Sequence, residues 1–580
     1  MRHLFPAACA LLLILAAGNC LFAADYTEQV PESPGRTAGE AAPKKDVSNG
    51  LRVVDWLIIC VYASGTIGLG WFYSRRQKST QEYFVGSGKM NPLLVGVSLF
   101  ATLLSTISYL SMPGEALGKG PVFMMSLLMM PVIFAIVGFF ILPLYMKQKV
   151  TSAYELLEEK LGLSIRMLGA GMFIVLRLVW MSLLIYLTAK ALTIMLGVGE
   201  DRIPLIAIVT GFVAVIYTSL GGLRAVVITD FIQTVLLFGG AVLCVGVITY
   251  DLGGFGWFPT EWNPTWDTQP FFSFDPSTRV TVVGTLVSVL IWYVCTSAGD
   301  QTSVQRFMAT EDADAARRAL GTQLCVSVVV SITLSCVGFA LLAYFTAHPD
   351  RLPDSIHLKD NADKVFPHFI AFHLPPGISG LVVAAMFAAA MSSIDSGVNS
   401  ITAVVMSDVL DRFGRSPKSE IEHIKMARWL AFGIGAFVVG TSSFMGLVPG
   451  NITEVTGKTS NLLTTPIFCL FFFALFVPYA SPRGVWIGAI CGTLTAAIVA
   501  FSGPIVLGLH LSCGIEPETF GTILKETVDK ATGEKTLSCP DPISFQWIAP
   551  LAVLANIAAG CAASKLLPQR PSEAAPDPTA

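Results

Sequence analysis

Two adjacent serines and an aspartate interrupt one of the most apolar stretches of the chain. The segment 389–396 reads AAMSSIDS, so that Ala389, Ser392, Ser393 and Ser396 recur at i, i+3, i+4 and i+7. In a helix this spacing places them on one face. Hydroxyl oxygens, together with carbonyls freed at a broken helix, are ligands for a hard cation such as Na⁺. Serines also let membrane helices pack closely, and for the serines alone this structural interpretation is favoured.

Two carboxylates lie in apolar stretches, and the one beside the serines shifts the balance towards a functional interpretation. Asp395 lies within the serine segment, and a charged side chain in a span costs about 3 kcal/mol on insertion scales, so it needs a partner. Asp230 lies in the segment 221–233, which begins with two glycines. It either forms a structural ion pair, with Arg224 as a candidate, or acts as a cation ligand or relay.

Two basic side chains are also predicted at membrane depth. Arg177 stands between leucines and either binds a substrate carboxylate in a bidentate manner or pairs with Asp230 or Asp395. We favour the structural pair. Lys458 lies near one end of a span, where a lysine can extend its amine to the membrane interface.

Polar residues predict two broken helices. The segment 104–108 (LSTIS) interrupts one apolar run, and 295–300 (CTSAGD) interrupts another whose start lies five predicted spans later. Unwound backbone at membrane depth is tolerated only where it is buried in protein or lines a cavity. Interrupted segments in matching positions are typical of transporters built from inverted repeats, with the site between them. We therefore predict a 5+5 repeat with a central site.

Long apolar stretches carry all of these residues. The 580-residue chain is 53% hydrophobic and only 13% charged, whereas a soluble domain carries about 25% charge. Since about 20 apolar residues cross a bilayer, we predict an all-α polytopic membrane protein with about thirteen transmembrane helices. The predicted spans are residues 53–74, 91–112, 121–145, 168–197, 203–219, 226–249, 280–298, 319–346, 377–405, 427–447, 459–478, 484–508 and 547–567.

The chain is arranged around a predicted transporter core. The predicted segments are a signal peptide (1–24), an external lead (25–52), a peripheral transmembrane helix (53–74), the inverted-repeat core (91–478), two peripheral transmembrane helices (484–567) with an external loop (509–545), and a disordered cytoplasmic tail (568–580). A basic start, an apolar run and small residues are typical of a secretory signal peptide, and an uncleaved helix is the alternative.

The distribution of basic residues predicts the orientation. Lys and Arg, with Arg306 counted among them, are concentrated in the loops of one side, and this side is expected to be cytoplasmic. The N-terminus is then outside and the C-terminus inside the plasma (inner) membrane. The net charge of −3 gives no indication of a nucleic-acid partner.

The cysteines give one structural prediction. Most of the 12 lie in spans and are interpreted as small core residues. Cys513 and Cys539 share one external loop and would form a disulfide if that side is oxidising. We find no Cys-x-x-Cys pattern or histidine cluster that indicates a metal site, and no nucleophile that indicates an enzyme.

Five motifs in order resemble the sodium:solute symporter family, which includes sodium-coupled sugar, proline, pantothenate and monocarboxylate transporters. The resemblance covers residues 53–480. The motifs are residues 55–73 with 79–86, residues 98–114, residues 221–233, residues 300–306 and residues 392–400. The resemblance implies a ten-helix inverted-repeat core whose first and sixth helices are broken, with additional peripheral helices.

The resemblance also implies a sodium site. Ala101 and Leu104 match the family's backbone-carbonyl ligands in the first broken helix, and Ala389, Ser392 and Ser393 match its eighth-helix ligands. These last three lie on the helical face described above. The resemblance therefore implies that Na⁺ joins the first and eighth core helices.

A second cation site is less closely matched. Asp230 and Ser396 match residues that bind a second sodium in some members of the family. Asp395 stands where those members have a hydroxyl, so it either strengthens a cation site or carries a proton.

Substrate contacts transfer only in part. The stretches that bind sugar in relatives here contain Ser108, Tyr293, Thr296 and the neighbourhood of Lys458. Tyr293 replaces an asparagine of the sugar transporters, which argues against a sugar site of that pattern. Arg177 would suit a substrate that bears a carboxylate.

The function implied is a secondary active symporter. Inward movement of Na⁺ would drive uptake of a small polar solute, such as an organic carboxylate or a sugar, by alternating access across the lipid bilayer. A proton-coupled symporter of the same fold and a membrane solute sensor are the alternatives. We expect no enzymatic activity and no cofactor besides the coupling ion, and the sequence does not determine an oligomeric state.

Overall fold

The computed structural model describes most of the chain. The residues described are 50–74, 80–86, 88–147, 152–268, 270, 272–354, 356–359, 361–417, 419–447, 452–528 and 535–568. The predicted signal peptide 1–24 lies outside them, as do nearly all of the predicted external lead 25–52 and of the tail 568–580.

Apolar α-helices build almost the whole structure. In chain order they are α1 (Val53–Ser74), α2 (Thr80–Val85), α3 (Pro92–Leu103), α4 (Thr106–Lys119), α5 (Pro121–Met146), α6 (Glu155–Leu161), α7 (Leu163–Leu196), α8 and α9 (Ile203–Asp251, divided at Gly222), α10 (Val282–Gly299), α11 (Gln301–Met308), α12 (Ala313–Ala347), α13 (Ala362–Phe372), α14 (Ile378–Val404), α15 (Glu420–Ser442), α16 (Ile452–Phe476), α17 (Pro482–Ala500), α18 (Ser502–Cys513) and α19 (Ile548–Leu566).

Three irregular features complete the architecture. A 3₁₀ segment (Pro121–Met129) and a π segment (Val137–Ile141) lie within α5, and α14 continues into a π segment (Val405–Asp411). Strands β1 (Lys525–Val528) and β2 (Lys535–Ser538) form an antiparallel hairpin. The end of the helix bundle that carries this hairpin is called the hairpin end below. It is the end predicted to be external.

The prediction of a helical membrane core is confirmed. Among the described residues, eleven helices are long and apolar enough to cross a membrane, or twelve if the bent pair of α3 and α4 is one span. The predicted span 203–219 corresponds to α8, which is not among them, so the count of thirteen stays a prediction. The predicted loop 509–545 contains the hairpin, which sequence patterning did not identify.

Two helical runs are divided by residues that suit a division. Gly222 has a φ of +65° and divides α8 from α9, a conformation that glycine adopts without steric cost. The predicted span 484–508 is two helices, because α17 ends at Ala500 and α18 begins at Ser502. Pro504 lies in the first turn of α18, where its missing N–H is tolerated, whereas inside a continuous helix it would remove a hydrogen bond.

The first break separates α3 from α4. The two helices diverge by 68°, and Leu104 (φ −85°, ψ 108°) and Ser105 (φ −103°, ψ 172°) are extended between them. Helix α12 supports α4 closely, since a Cβ atom at Gly338 would collide with the carbonyl of Pro113. The peptide groups at this break lie inside the protein.

The second break lies at the last residue of the predicted interruption 295–300. Residues 295–299 remain helical, and the chain leaves the helix only at Asp300 (φ −93°, ψ 122°). The polar side chains of this stretch do not interrupt the backbone ladder. Asp300 does so because its carboxylate caps α11 by accepting the N–H of Thr302 at 2.8 Å, which is the usual chemistry of an N-cap.

Helix α14 lies at the centre of the bundle. In its most apolar window 83% of the residues are buried, against 33–61% in the other membrane-spanning helices. It packs against α1, α3, α4, α7 and α9. The candidate serines therefore lie on the most enclosed helix among the described spans.

Candidate functional site

Helix α14 is bonded to both halves of the first broken helix. The Ser393 hydroxyl donates to the carbonyl of Thr102 at the end of α3 (3.3 Å). The Thr106 hydroxyl, at the start of α4, donates to the carbonyl of Met386 (3.1 Å). Ala389 lies between these two contacts on the same helical face. The break is thus held directly against the face that sequence periodicity selected.

The five residues of the predicted sodium site meet at this junction. Each is at least nine-tenths buried, and Ala101, Leu104 and Ala389 belong to one packed cluster. The last carbonyls of α3 have no partner within their own helix, while Ser392 and Ser393 add hydroxyl oxygens. The junction offers the oxygen ligands that Na⁺ requires. Sodium binding there stays a prediction.

Asp230 lies directly behind the junction. Its Oδ1 accepts the hydroxyl of Ser392 (2.6 Å) and its Oδ2 accepts the hydroxyl of Ser98 (2.5 Å). The guanidinium of Arg306 lies 3.5 Å from Oδ2. Asp230 and Arg306 are both 0% exposed, so this is a buried ion pair that joins α9 to α11 and, through the serines, to α3 and α14.

Arg306 is the residue that sequence reasoning misplaced. It was counted among loop charges, whereas its Nη2 donates to Ser396 (2.5 Å) and its Nε to Ser98 (2.8 Å) inside the protein. The alternative partner, Arg224, is largely exposed and lies 3.9 Å from Glu82. The sequence did contain a sign that Arg306 is buried, because an arginine shortly after a broken helix and within a family motif is a candidate for burial.

The residues of the predicted second cation site are divided between two neighbours. Asp230 and Ser396 contact the same guanidinium. Asp395 instead accepts the hydroxyl of Thr218 on α8. Successive residues of a helix point about 100° apart, so Asp395 and Ser396 face different helices.

Arg177 braces the second break. Its Nη2 contacts the carboxylate of Asp300 and donates to the hydroxyl of Thr302 (2.7 Å). The predicted pairing with Asp230 or Asp395 is therefore replaced by pairing with Asp300, the residue at which the chain leaves the helix. Its guanidinium is committed to a carboxylate of the protein.

Lys458 is tied to the hairpin end. Its amine contacts the carboxylate of Asp541, which also accepts the N–H of Gly503 (2.7 Å). Lys458 is 8% exposed, so it does not simply extend to an interface. It connects α16 to the segment that follows the hairpin.

Several hydroxyls near the breaks differ in their engagement. Ser105 and Thr296 are 1% and 3% exposed, and within the described part of the chain neither side-chain oxygen has a hydrogen-bond partner. Ser105 precedes α4 without capping it. Ser108 and Tyr293 are half-buried on α4 and α10. Ser105 was not among the predicted substrate contacts.

The predicted disulfide is not formed in the structure. Cys513 is exposed at the end of α18, whereas Cys539 is buried just after β2, and both thiols are free. Sharing a loop in the sequence is not sufficient, because a disulfide also needs the two Cβ atoms about 4 Å apart.

Comparisons with known proteins agree with this architecture. The sequence profile of the sodium:solute symporter family matches residues 83–492. The chain is 30% identical over 460 residues to the sodium/sialic acid symporter NanT of Aliivibrio fischeri, which covers 76% of this chain and 86% of that protein. It is 26% identical over 453 residues to the sodium-coupled monocarboxylate transporter 1 of Homo sapiens (74% and 70% covered).

A solved structure supports the same conclusion. The substrate-bound, outward-open state of a Na⁺-coupled sialic acid symporter superposes with a TM-score of 0.70 at 25% identity, and covers 89% of this chain and 99% of that one. The fold is therefore that of a Na⁺-coupled transporter, as the five motifs predicted. The chain belongs to the sodium:solute symporter family.

Proposed function

We propose that this protein is a secondary active symporter of the plasma (inner) membrane that couples inward Na⁺ movement to uptake of a small organic carboxylate. The observation that carries the proposal is the junction of α14 with both halves of the first broken helix, through Ser393 and Thr106. A cation bound there would contact the end of α3 and the face of α14 together. Sodium would thereby fix the break in one geometry.

The driving force follows from the charge that moves. Each Na⁺ that crosses about 100 mV supplies about 2.3 kcal/mol. This free energy corresponds to about 50-fold accumulation of a neutral solute. A monoanionic solute and one Na⁺ together carry no net charge. Accumulation of such a solute would therefore depend on the sodium concentration gradient and not on the membrane potential.

The substrate class is inferred from the relatives. The names of the sodium/sialic acid symporter and of the sodium-coupled monocarboxylate transporter both denote carboxylic acids. A carboxylate in a largely dry site needs hydrogen-bond donors or a cation, because an unpaired charge is costly to bury. Groups of the first kind, hydrogen-bond donors, lie near the first break.

The donors near the break are neutral. The buried arginine and lysine side chains of the described residues all pair with carboxylates of the protein: Arg166 with Asp408, Arg177 with Asp300, Arg306 with Asp230, and Lys458 with Asp541.

Neutral donors remain for the substrate. The start of α4 offers N–H groups and the positive end of a helix dipole. The buried hydroxyls of Ser105 and Thr296 are available beside the breaks. We propose that these groups, together with Ser108 and Tyr293, hold the substrate carboxylate.

A second coupled cation would meet a competitor. Asp230 and Ser396 are its predicted ligands, and the guanidinium of Arg306 contacts both. A second Na⁺ would have to displace this guanidinium. Asp395, bonded to Thr218, is the alternative place for a proton.

The test is sodium-dependent uptake in proteoliposomes, with a screen of carboxylic acids. Removing the hydroxyl of Ser392 or Ser393 should raise the Na⁺ concentration for half-maximal uptake about 10- to 100-fold, if such a ligand contributes about 1.5–3 kcal/mol like a hydrogen bond to a charged group. Thr402→Val is the matched control, because this buried hydroxyl of α14 bonds only back to Val398 (2.7 Å). Wild-type, sodium-independent uptake in both serine variants would contradict the proposal.

The same preparation separates the alternatives. Uptake driven by a pH gradient without sodium, and lost in Asp395→Asn, would indicate a proton-coupled symporter. Saturable binding of a solute without uptake would indicate a sensor.

A further inference from the structure

Four of the seven histidines lie within residues 348–373. They are spread over this segment, and no spacing in the sequence indicates a metal site. In the structure the end of α12, the 3₁₀ turn Pro349–Arg351 and the end of α13 come together at the hairpin end. This closure brings His368 and His373 to the main chain of Arg351.

Three donor atoms form a compact triangle there. The Nε2 atoms of His368 and His373 are 3.4 Å apart. The carbonyl oxygen of Arg351 lies 3.3 Å from Nε2 of His368 and 3.0 Å from Nε2 of His373. Each edge of the triangle is therefore close to the next in length.

These edges match the separation of ligands around a tetrahedral metal ion. With Zn–N distances of 2.0–2.1 Å and a tetrahedral angle, two ligand nitrogens lie about 3.3–3.4 Å apart. Oxygen ligands at 2.0–2.2 Å give a similar spacing. A metal ion slightly above the plane of the triangle would reach all three atoms with little movement.

A metal ion binds the neutral imidazole, in which one ring nitrogen offers a lone pair. The charged groups that face His373 are His368, Arg351 and Asp251. The guanidinium of Arg351 is turned away, because its Nη1 donates to the Tyr344 hydroxyl (2.5 Å) and lies 3.4 Å from Asp251.

Aromatic packing fixes the orientation of both rings. The ring centroids of His368 and Phe372 are 4.8 Å apart, and those of His373 and Phe345 are 5.6 Å apart. His368 is 8% exposed and His373 is half-buried. One side of the triangle can therefore exchange with solvent while its donors stay in place.

We propose that Nε2 of His368, Nε2 of His373 and the carbonyl of Arg351 bind a divalent transition-metal ion, with water in the fourth position. Imidazole nitrogen suits Zn²⁺, Ni²⁺ and Cu²⁺. In the metal-free form an Nε2–H donates to the carbonyl, and transfer of the proton to Nδ1 frees the lone pair. No three His, Cys, Asp or Glu side chains of the described residues cluster as a metal site, because the third donor here belongs to the main chain.

Metal binding would join the turn after α12 to the end of α13. The start of α13 packs on α4, where a Cβ atom at Gly114 would lie 3.1 Å from Asp363. The ion would therefore hold α13 against the half-helix that begins at the first break. The bound ion would then slow transport, and this expectation rests on the proposed function. Metal binding itself does not depend on that function.

The test titrates Zn²⁺ into the purified, chelator-treated full chain in detergent, by calorimetry and thermal unfolding. Stabilisation by Zn²⁺ and not by Mg²⁺ is expected in the wild type. His368→Gln and His373→Gln retain an amide donor for the Arg351 carbonyl but lose the imidazole. Each should weaken Zn²⁺ affinity by at least about tenfold, since loss of an outer-shell partner alone costs 10- to 100-fold.

His510→Gln is the control, because this ring contacts the carbonyl of Ile515 at a distant position, and it should leave the Zn²⁺ affinity unchanged. No Zn²⁺-specific stabilisation in the wild type, or unchanged affinity in both glutamine variants, would overturn the proposal. Visible absorption of bound Co²⁺ tests tetrahedral coordination in the wild type without any variant, and its absence would also overturn the proposal.

Discussion

The two broken helices use their polar groups differently. At the first break, between α3 and α4, Ser105 is buried without capping α4 and without a hydrogen bond to its hydroxyl among the described residues. At the second, Asp300 caps α11 and pairs with Arg177. The first break keeps the hydroxyl at its own extended residue available for a ligand, whereas at the second break the extended residue, Asp300, is engaged by the protein. Of the two similar interruptions, the first therefore has the more open chemistry at the break itself.

The two breaks also differ in how strongly their geometry is held. The second break is braced by a buried ion pair, whereas the two residues that flank the first break, Thr102 and Thr106, are joined to α14 by neutral hydrogen bonds with Ser393, Ser396 and Met386. A neutral hydrogen bond contributes about 1 kcal/mol. A ligand that binds at the first break can therefore change its geometry at small cost.

Breaking the brace should have the largest effect. Arg177→Met leaves the carboxylate of Asp300 buried and unpaired, which should reduce the free energy of unfolding by about 3–5 kcal/mol. Thermal unfolding of the purified protein measures this loss, and Arg177→Met/Asp300→Asn should recover part of it. Asp314→Asn is the control, because it removes an exposed pair with Arg317 that contributes about 0–1 kcal/mol. Equal effects of the buried and exposed variants would remove the distinction between the breaks.

Removing a hydroxyl at the first break should weaken the affinity for the solute and leave the free energy of unfolding nearly unchanged. Ser105→Ala should raise the solute concentration for half-maximal uptake about tenfold or more, since a hydrogen bond to a charged group contributes about 1.5–3 kcal/mol. The unfolding midpoint should change little, because the hydroxyl has no partner among the described residues. Thr333→Val is the control, because this half-buried hydroxyl of α12 donates back to the carbonyl of Val329 (2.9 Å). Unchanged solute dependence in Ser105→Ala would argue that the carboxylate binds elsewhere.

A smaller effect is expected where α16 meets the hairpin end. Asp541→Asn removes the charge that pairs with Lys458 and weakens the acceptor for Gly503. The pair is partly exposed, so we expect local opening with little global unfolding. Hydrogen exchange should increase in residues 500–528 and 535–547 while that of α14 is unchanged. Increased exchange throughout α14 would contradict a local role.

The smallest effect is expected from acidification at the hairpin end. The pKa of His373 in the folded protein is about 4, below its usual 6.5, so the unfolded chain binds more protons between these values. Stability linked to this group is therefore present above about pH 6.5 and falls as the pH approaches 4. His373→Gln should flatten the dependence of the unfolding midpoint in this range. An identical pH profile in the variant would exclude His373 as the cause.

The sequence was informative where chemistry is local. Helical periodicity placed Ala389, Ser392 and Ser393 on one face, and apolar length located nearly all of the spans. The same patterns did not show which partner each buried charge would choose. Arg306 and Asp230 are 76 residues apart in the chain, and their contact depends on how α9 and α11 pack.

Other features depended on closure of the chain. The second interruption is narrower than the predicted segment 295–300, because polar side chains at 295–299 do not disrupt a helix, whereas Asp300 does so by capping the next one. The contact of His368 and His373 with Arg351 forms only when α12 and α13 meet. Such tertiary contacts produce no characteristic residue spacing in the sequence.

The most direct test of the account is whether sodium itself binds at the junction of α14 with the first break. Thermal unfolding of the purified protein, without solute, should shift upward in NaCl relative to KCl at equal ionic strength, since a ligand that binds only the folded state stabilises it. Ser393→Ala should abolish most of this shift, and Thr402→Val should retain it. Equal stabilisation by the two salts in the wild type, or an unchanged sodium shift in Ser393→Ala, would contradict the account.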